Sequence, residues 1–374
     1  MPITQEQEDA LRLIESGMSQ RKAAKVLGIS RGSLRWRLDM AKRDIDPAIR
    51  DSMAAVGTGL VPALAWAKTK FENGTSYSVL LKPAVDDLPS IMGQIRDAFE
   101  DMEAAQKIEP PEHVMSDLCT VWPLMDVHFG MLAWGRETGG PDYDTKVAAD
   151  DMRHAFAKVC AITPDSAEGV LIIGGDFFHA DDNRAETPAN RHKLDVDSRH
   201  WRVLDLGVAL IAEVIDTLAN KHAQLTIRVL RGNHDEHSHA ILTFALAQRY
   251  RDTAHITVDK DPRDIFMKQW GRCLIAAHHG DKARAERMTL YLSDICPFWS
   301  DTRHRFCFTG HVHHDHSKDI GPLKWESLRA FTAPDAYASG MGYASRRALQ
   351  AITFHKRDGV VLRAIDPIER DRDG

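Results

Sequence analysis

The feature that most limits what this chain can become is a recurrence. Five apolar runs each lead into histidine, aspartate or asparagine. Leu118–Met125 runs into Asp126-Val-His128, and Val170–Ile173 into Gly175-Asp176. Leu225–Leu230 runs into Gly232-Asn233-His234-Asp235-Glu236, Leu274–Ala277 into His278-His279-Gly280-Asp281, and Phe306–Phe308 into Gly310-His311-Val-His313. Short apolar runs that stop at glycine and polar residues read as buried strands. Gly232 is expected to permit a sharp exit from its strand. Active sites of open α/β sheets lie at the carboxyl ends of such strands. Each motif is weak by itself, since Gly-Asn-His-Asp is also an ordinary surface turn and a single histidine is more often a surface or core residue. Their repetition at successive strand ends in one region is what carries information.

The chemistry of the set is narrow. Carboxylates, imidazoles and one amide oxygen together suit Mn²⁺, Fe or Zn²⁺, and no cysteine joins them as a structural zinc site requires. Two divalent ions held side by side activate water and clamp a phosphoryl group for in-line attack. The residues that supply such a site are Asp126, His128, Asp176, Asn233, one of His278 and His279, His311 and His313.

Composition sets the frame. At 374 residues the chain has room for two or three domains. A net charge of -6 excludes a surface that coats nucleic acid throughout, though not a local basic patch. There is no apolar run of about 18 residues, so no membrane span is expected. The polar, acidic start is unlike a secretory leader. The five cysteines, Cys119, Cys160, Cys273, Cys296 and Cys307, are scattered, which fits reduced thiols in a cytoplasm, bacterial or phage-infected.

Along the chain, residues 1–50 read as a small helical domain. Thr4 and Gly17 bracket a first helix, Ser19 and Gly28 a second (Gln20 to Leu27), and Ser30 caps a third from Arg31 to Lys42. The stretch Ser19-Gln-Arg-Lys-Ala-Ala-Lys-Val-Leu-Gly-Ile-Ser-Arg-Gly-Ser-Leu-Arg-Trp-Arg-Leu38 resembles the helix-turn-helix of transposases, resolvases and phage regulators. Its expected core is Ala23, Ala24, Val26, Leu27, Ile29, Leu34 and Leu38. Between Gln20 and Arg43 eight basic residues face one acid, a counter-charge for phosphate. DNA is the expected partner, with Arg31, Ser33 and Arg35 where a recognition helix reads bases. The competing reading is a basic face that is merely solvated or binds protein. Residues 51–112 form a connector with a hairpin across Asn73-Gly74 and a helix from Ile91 to Lys107. Residues 113–366 alternate strand and helix, the pattern of a layered α/β domain. Residues 367–374 are a charged tail.

The motifs Asp126-x-His128, Gly175-Asp176, Gly232-Asn-His-Asp/Glu, His279-Gly280 and Gly310-His-x-His313, in this order, resemble those of the calcineurin-like metallophosphoesterases. The resemblance covers roughly residues 115–365. It implies a four-layer αββα sandwich, preceded here by the all-α helix-turn-helix domain, with a two-metal site at the strand ends. Carried over, Asp126, His128, Asp176 and His313 hold one ion. Asp176 bridges, and Asn233, His279 or its rival His278, and His311 hold the other. His234 matches the catalytic histidine of the family. The implied ions are two divalent metals, Mn²⁺ first, with Fe, Zn²⁺ or Ni²⁺ as alternatives. Gly175-Asp176-Phe-Phe-His179 is closer to the Mre11/SbcD nuclease branch, where His179 either contacts substrate or packs. By analogy that branch also implies a homodimer. Met131-Leu-Ala-Trp-Gly-Arg-Glu-Thr138 and Leu194-Asp-Val-Asp197 resemble phage-encoded members. The function expected is phosphodiester hydrolysis, with DNA cleavage as the first reading. The alternative is a phosphatase or phosphodiesterase for a small nucleotide-like ester, with a regulatory N-terminal domain. An open basic approach through Arg184, Arg191, Lys193, Arg199 and Arg202 favours the first, and a closed site the second.

Overall fold

The computed structural model describes residues 5–16, 18–30, 32–35, 38, 65–70, 76–81, 105, 108–344 and 346–369. The chain divides into two compact units, Met1–Ile91 and Met92–Gly374. The Thr4 cap, Arg31, the Asn73-Gly74 turn and, but for Ala105, the expected helix up to Lys107 lie largely or wholly outside the described residues.

In the first unit, helices α1 (Gln5–Glu15) and α2 (Gln20–Val26) precede a helical segment at 32–35. Ala10, Ala23, Ala24, Leu34 and Leu38 are buried together. α2 ends as the sequence predicts: Gly28 takes φ +64, its N–H bonds the Lys25 carbonyl, and Ile29 N–H bonds the Ala24 carbonyl. That double bond with glycine in the left-handed region is the Schellman stop. Ser30 Oγ accepts from Ser33 N at 3.0 Å, the bond of an N-cap. Val26 departs from expectation. It is 64% exposed, because it lies off the stripe formed by Ala23, Ala24 and Leu27. Strands β1 (Ala65–Lys70) and β2 (Ser76–Leu81) pair antiparallel, the hairpin read from the sequence.

The second unit is built on two sheets. The larger contains β3 (Met115–Leu124), β4 (Ser166–Ile173), β5 (His222–Val229), β6 (Ile256–Asp259), β12 (Leu349–His355) and β13 (Gly359–Asp366), in the order β13-β12-β3-β4-β5-β6. β3 to β6 are parallel, and each crossover is helical: α4 (Thr145–Ile162), α5 (His200–Ala219) and α6 (Ser238–Arg249). The smaller sheet contains β7 (Phe266–Trp270), β8 (Cys273–Ala277), β9 (His304–Thr309), β10 (His316–Ile320) and β11 (Leu323–Ser327), in the order β10-β11-β9-β8-β7. Short helices α3 (Gly135–Thr138) and α8 (Ala336–Gly340) lie in the loops, and α7 (Ala285–Ile295) follows β8.

Alternation along the strands sets the layers. Leu171 and Ile173 join the cluster that includes Phe156, Ile211 and Leu246 from the three crossover helices. Val170 and Ile172 join Ile275, Ala277, Phe308 and Phe354 between the sheets. Leu274 and Ala276, one residue out of phase, pack with Met288 and Leu292 of α7. The result is helices, sheet, sheet, helix, the four layers that the resemblance implies. β4 and β8 are buried on both faces, which is why they read as continuous apolar runs. Replacing the fully buried Ile172 by alanine is expected to cost about 2–5 kcal/mol. Pro123 sits within β3 without disrupting it. It pairs in register with Ile172, while the ladder to β12 ends at Val121, so no bond is lost on that side.

Candidate metal centre

The motif residues converge where β3, β4, β5, β8 and β9 end. The turn after β3 carries Asp126 and His128, and it runs beside the turn after β4, with His128 N–H donating to the Asp176 carbonyl at 2.9 Å. Backbone strain marks the spot. Among the described residues, eight non-glycine positions have positive φ, and five of them are Asp126, His128, Asp176, His311 and His313. Such conformations cost energy and persist where the surroundings hold a side chain to a task.

Two donor groups form. In one, ligand atoms of Asp126, His128 and His313 lie within 4.8 Å of one another; in the other, those of Asp176, His279 and His311 do. Asp176 Oδ2 reaches toward both, at 3.2 Å from His279 Nε2 and 3.9 Å from His128 Nε2. Asp126 Oδ1 lies 3.6 Å from His313 Nε2. His128 Nε2 and His313 Nε2 are 3.3 Å apart. Asn233 Oδ1 faces His279 Nε2 at 3.1 Å. His311 N–H donates to the Asp126 carboxylate at 2.9 Å. The third group, His128, His179 and His234, reuses His128.

The donor set fits divalent ions, because the surrounding groups orient and charge it for them. His279 Nδ1 lies 3.0 Å from the Gly174 carbonyl, which only accepts, so Nδ1 carries the hydrogen and Nε2 is left for the site. That support is typical of metal-binding histidines. Burial works to lower His279, but the carboxylates of Asp176 and Asp126 outweigh it and hold it up to about 10, so the metal-free ring keeps a proton on Nε2 that a bound cation would displace. Burial likewise pushes Asp176 upward, and the histidines around it, His279 foremost, hold it well below the usual carboxylate range. Burial lowers His128 well below its ordinary value, aided by the neighbouring His234, so its imidazole is neutral and free to coordinate.

Strand parity separates the adjacent histidines. His279 continues the face of Ile275 and Ala277 and meets Asp176. His278 continues the opposite face of Leu274 and Ala276, joins no donor group among the described residues, and is pulled by burial down to about 4. His179 is buried beside the centre, with Nδ1 3.2 Å from His128 Nδ1. His234 stacks on His179 and donates from Nδ1 to the His179 carbonyl at 2.8 Å, which leaves Nε2 for the cavity.

Two glycines of the motifs are there for close approach. A Cβ on Gly232 would fall 2.0 Å from Asp176 Oδ1, and one on Gly310 would fall 2.3 Å from Asp126 Oδ2. Gly232 is outside the left-handed region, so the sharp exit expected of it is not its reason. Asp235 has a role that the sequence reading left unassigned. Its buried carboxylate accepts from Gly232 N–H, Asp176 N–H, Phe177 N–H and Phe178 N–H at 2.9–3.3 Å, fixing the turn that presents Asp176. Its place in the Gly-Asn-His-Asp turn was the available signal. Burial and the Asp176 charge push it up to about 7.

A cavity of about 540 Å³ opens on the centre, lined by His128, Asp176, Asn233, His234, His311 and His313. Of the basic residues expected to form an approach, only Lys193 lines it, and Lys193 is paired with Glu186. Arg184 is paired with Asp182, and Arg199 lines a separate smaller cavity. Of the expected DNA contacts, Arg31 is outside the described residues, Ser33 is bonded to Ser30, and Arg35 is half-buried. No helix among the described residues is long and apolar enough to cross a membrane.

No family model and no curated protein matches the sequence. Solved structures do. Yfce, a phosphoesterase from E. coli, is 12% identical, covering 67% of this chain and 100% of its own, with a TM-score of 0.32. Vps29 from Entamoeba histolytica, solved with Zn²⁺, is 11% identical over 67% and 99%, with a TM-score of 0.29. A predicted phosphoesterase from Streptococcus pneumoniae is 12% identical over 67% and 99%, with a TM-score of 0.27.

Proposed function

We propose that this chain is a metal-dependent phosphoesterase of the calcineurin-like family that hydrolyses phosphodiesters with two divalent ions, and that DNA is its substrate. The observation that carries the reading is Asp176, one carboxylate facing both donor groups, with Asp126, His128 and His313 to one side and Asn233, His279 and His311 to the other. When bound, the ions supply Lewis acidity and an activated water at phosphorus. Mn²⁺ is the ion of first choice for this oxygen and imidazole set, with Fe, Zn²⁺ or Ni²⁺ as alternatives. The chain's own residues do the rest. Asp235 and the Gly174 carbonyl hold Asp176 and His279 in position. His234, with Nδ1 committed to the His179 carbonyl, has Nε2 to steady a phosphoryl oxygen or protonate the leaving oxygen. The basic stretch from Gln20 to Arg43 supports DNA as the polymer held.

A second reading is a small nucleotide-like ester as substrate. The cavity volume favours it, because about 540 Å³ is the size of a small-molecule site. The test is purified chain with Mn²⁺, given single-stranded DNA, duplex DNA and bis(p-nitrophenyl) phosphate in parallel, with His234→Ala as control. DNA cleavage that the variant loses supports the nuclease reading. Hydrolysis of the small diester with DNA left intact moves the substrate to small esters, and no hydrolysis of any of the three contradicts the phosphoesterase reading.

A further inference from the structure

The cavity over the metal centre has a second wall that binding a phosphate does not need. Tyr337 and Tyr343 line it and are 67% and 51% exposed. Neither ring is a core residue, in contrast to Tyr143 and Phe331, which are fully buried. Both are carried by one compact turn. Asp335 caps α8 through the Ala338 N–H at 2.7 Å, and Tyr343 N–H donates to the Ala338 carbonyl at 2.8 Å. Ser339 Oγ pins the turn to the Thr138 carbonyl at 2.8 Å. Pro334 and Ala338 add an apolar floor, while Asn190 offers amide groups in the same cavity.

We propose that Tyr337 and Tyr343 form a stacking wall for the nucleobase attached to the scissile phosphate, so that the substrate presents an unpaired base. This deepens the phosphoesterase reading and rests on it. One cavity joins charged donors at one part to flat aromatic faces at another, and a nucleotide has that same division between phosphate and base. Exposed aromatic rings on a pinned turn stack bases without selecting among them, since every base has a π-face. A base within a duplex is already stacked on its neighbours, so single strands and frayed ends are the preferred polymers.

Two esters with one leaving group separate the wall from the chemistry: thymidine 5′-(p-nitrophenyl phosphate) and methyl p-nitrophenyl phosphate. The full chain with Mn²⁺ is compared with Tyr337→Ala, Tyr343→Ala and Tyr337→Phe. KM for the nucleoside ester is expected to rise about tenfold or more in each alanine variant and to stay unchanged in Tyr337→Phe. The kcat/KM for the methyl ester is expected to hold within about twofold. An unmoved nucleoside KM, or an equal loss on both esters, overturns the stacking wall and leaves the phosphoesterase reading intact. If neither ester is cleaved, the phosphoesterase reading fails. Calorimetric binding of thymidine 5′-monophosphate to the same four proteins then decides the wall, with equal affinity in all four overturning it.

Discussion

His279 Nε2 stands 3.2 Å from Asp176 Oδ2, while the adjacent His278, one residue out of phase, joins no donor group among the described residues. The pair therefore makes a discriminating experiment. His279→Ala is expected to lower Mn²⁺ affinity and phosphodiester hydrolysis by more than about a hundredfold, beyond the usual cost of losing a supporting group. His278→Ala is expected to keep both within a few fold. Calorimetry and steady-state kinetics on the two variants read this directly, and an equal loss in both contradicts the parity assignment.

Asp235 is expected to matter although it faces backbone. Asp235→Asn replaces one acceptor by an N–H₂ group opposed to several N–H donors. The expected cost is about 1–3 kcal/mol of stability, with metal affinity down about 10–100-fold. Chemical denaturation of the metal-free chain, alongside metal titration, measures both. Unchanged metal affinity would show that the Asp176 turn holds itself.

His222 predicts a pH dependence away from the site. Its ring is buried, accepts from Trp122 Nε1 at 3.0 Å and contacts Ser166 Oγ at 2.8 Å, and burial with Lys221 alongside pulls it down to about 3. The unfolded chain takes up this proton near pH 6.5, and the folded chain does not until about 3. Its contribution is therefore complete above pH 6.5 and is lost as pH falls toward 3, at about 1.4 kcal/mol per pH unit between. In urea unfolding from pH 6 to 4, His222→Gln is expected to show a slope shallower by that amount. Equal slopes would contradict the assignment.

The parts legible in the sequence were those where burial leaves a pattern. β3, β4, β5, β8 and β9 announced themselves as apolar runs because both of their faces are covered for much of their length. α7 was not read. Leu290 and Tyr291 are exposed while Met288 and Leu292 are buried, so apolar residues occur on both sides and blur the period. β10, His-Ser-Lys-Asp-Ile, is a polar exposed edge strand with no apolar signal to read. At the site, residue types and order gave the donors, but the choice of His279 needed strand parity, and Gly232 needed the position of Asp176. The proposed aromatic wall was illegible because Tyr337 and Tyr343 come to share a cavity with the candidate donors only through the fold.

Asp176 stands between two donor groups that would hold a pair of divalent ions, and counting the ions tests the proposed function most directly. Metal-stripped chain is titrated with Mn²⁺ by calorimetry while hydrolysis of bis(p-nitrophenyl) phosphate is followed. Two Mn²⁺ per chain are expected, with activity rising as they bind, and Asp176→Asn is expected to lose both tight binding and hydrolysis. No stoichiometric Mn²⁺ binding, or hydrolysis that survives in Asp176→Asn, would contradict the metal centre and the function built on it.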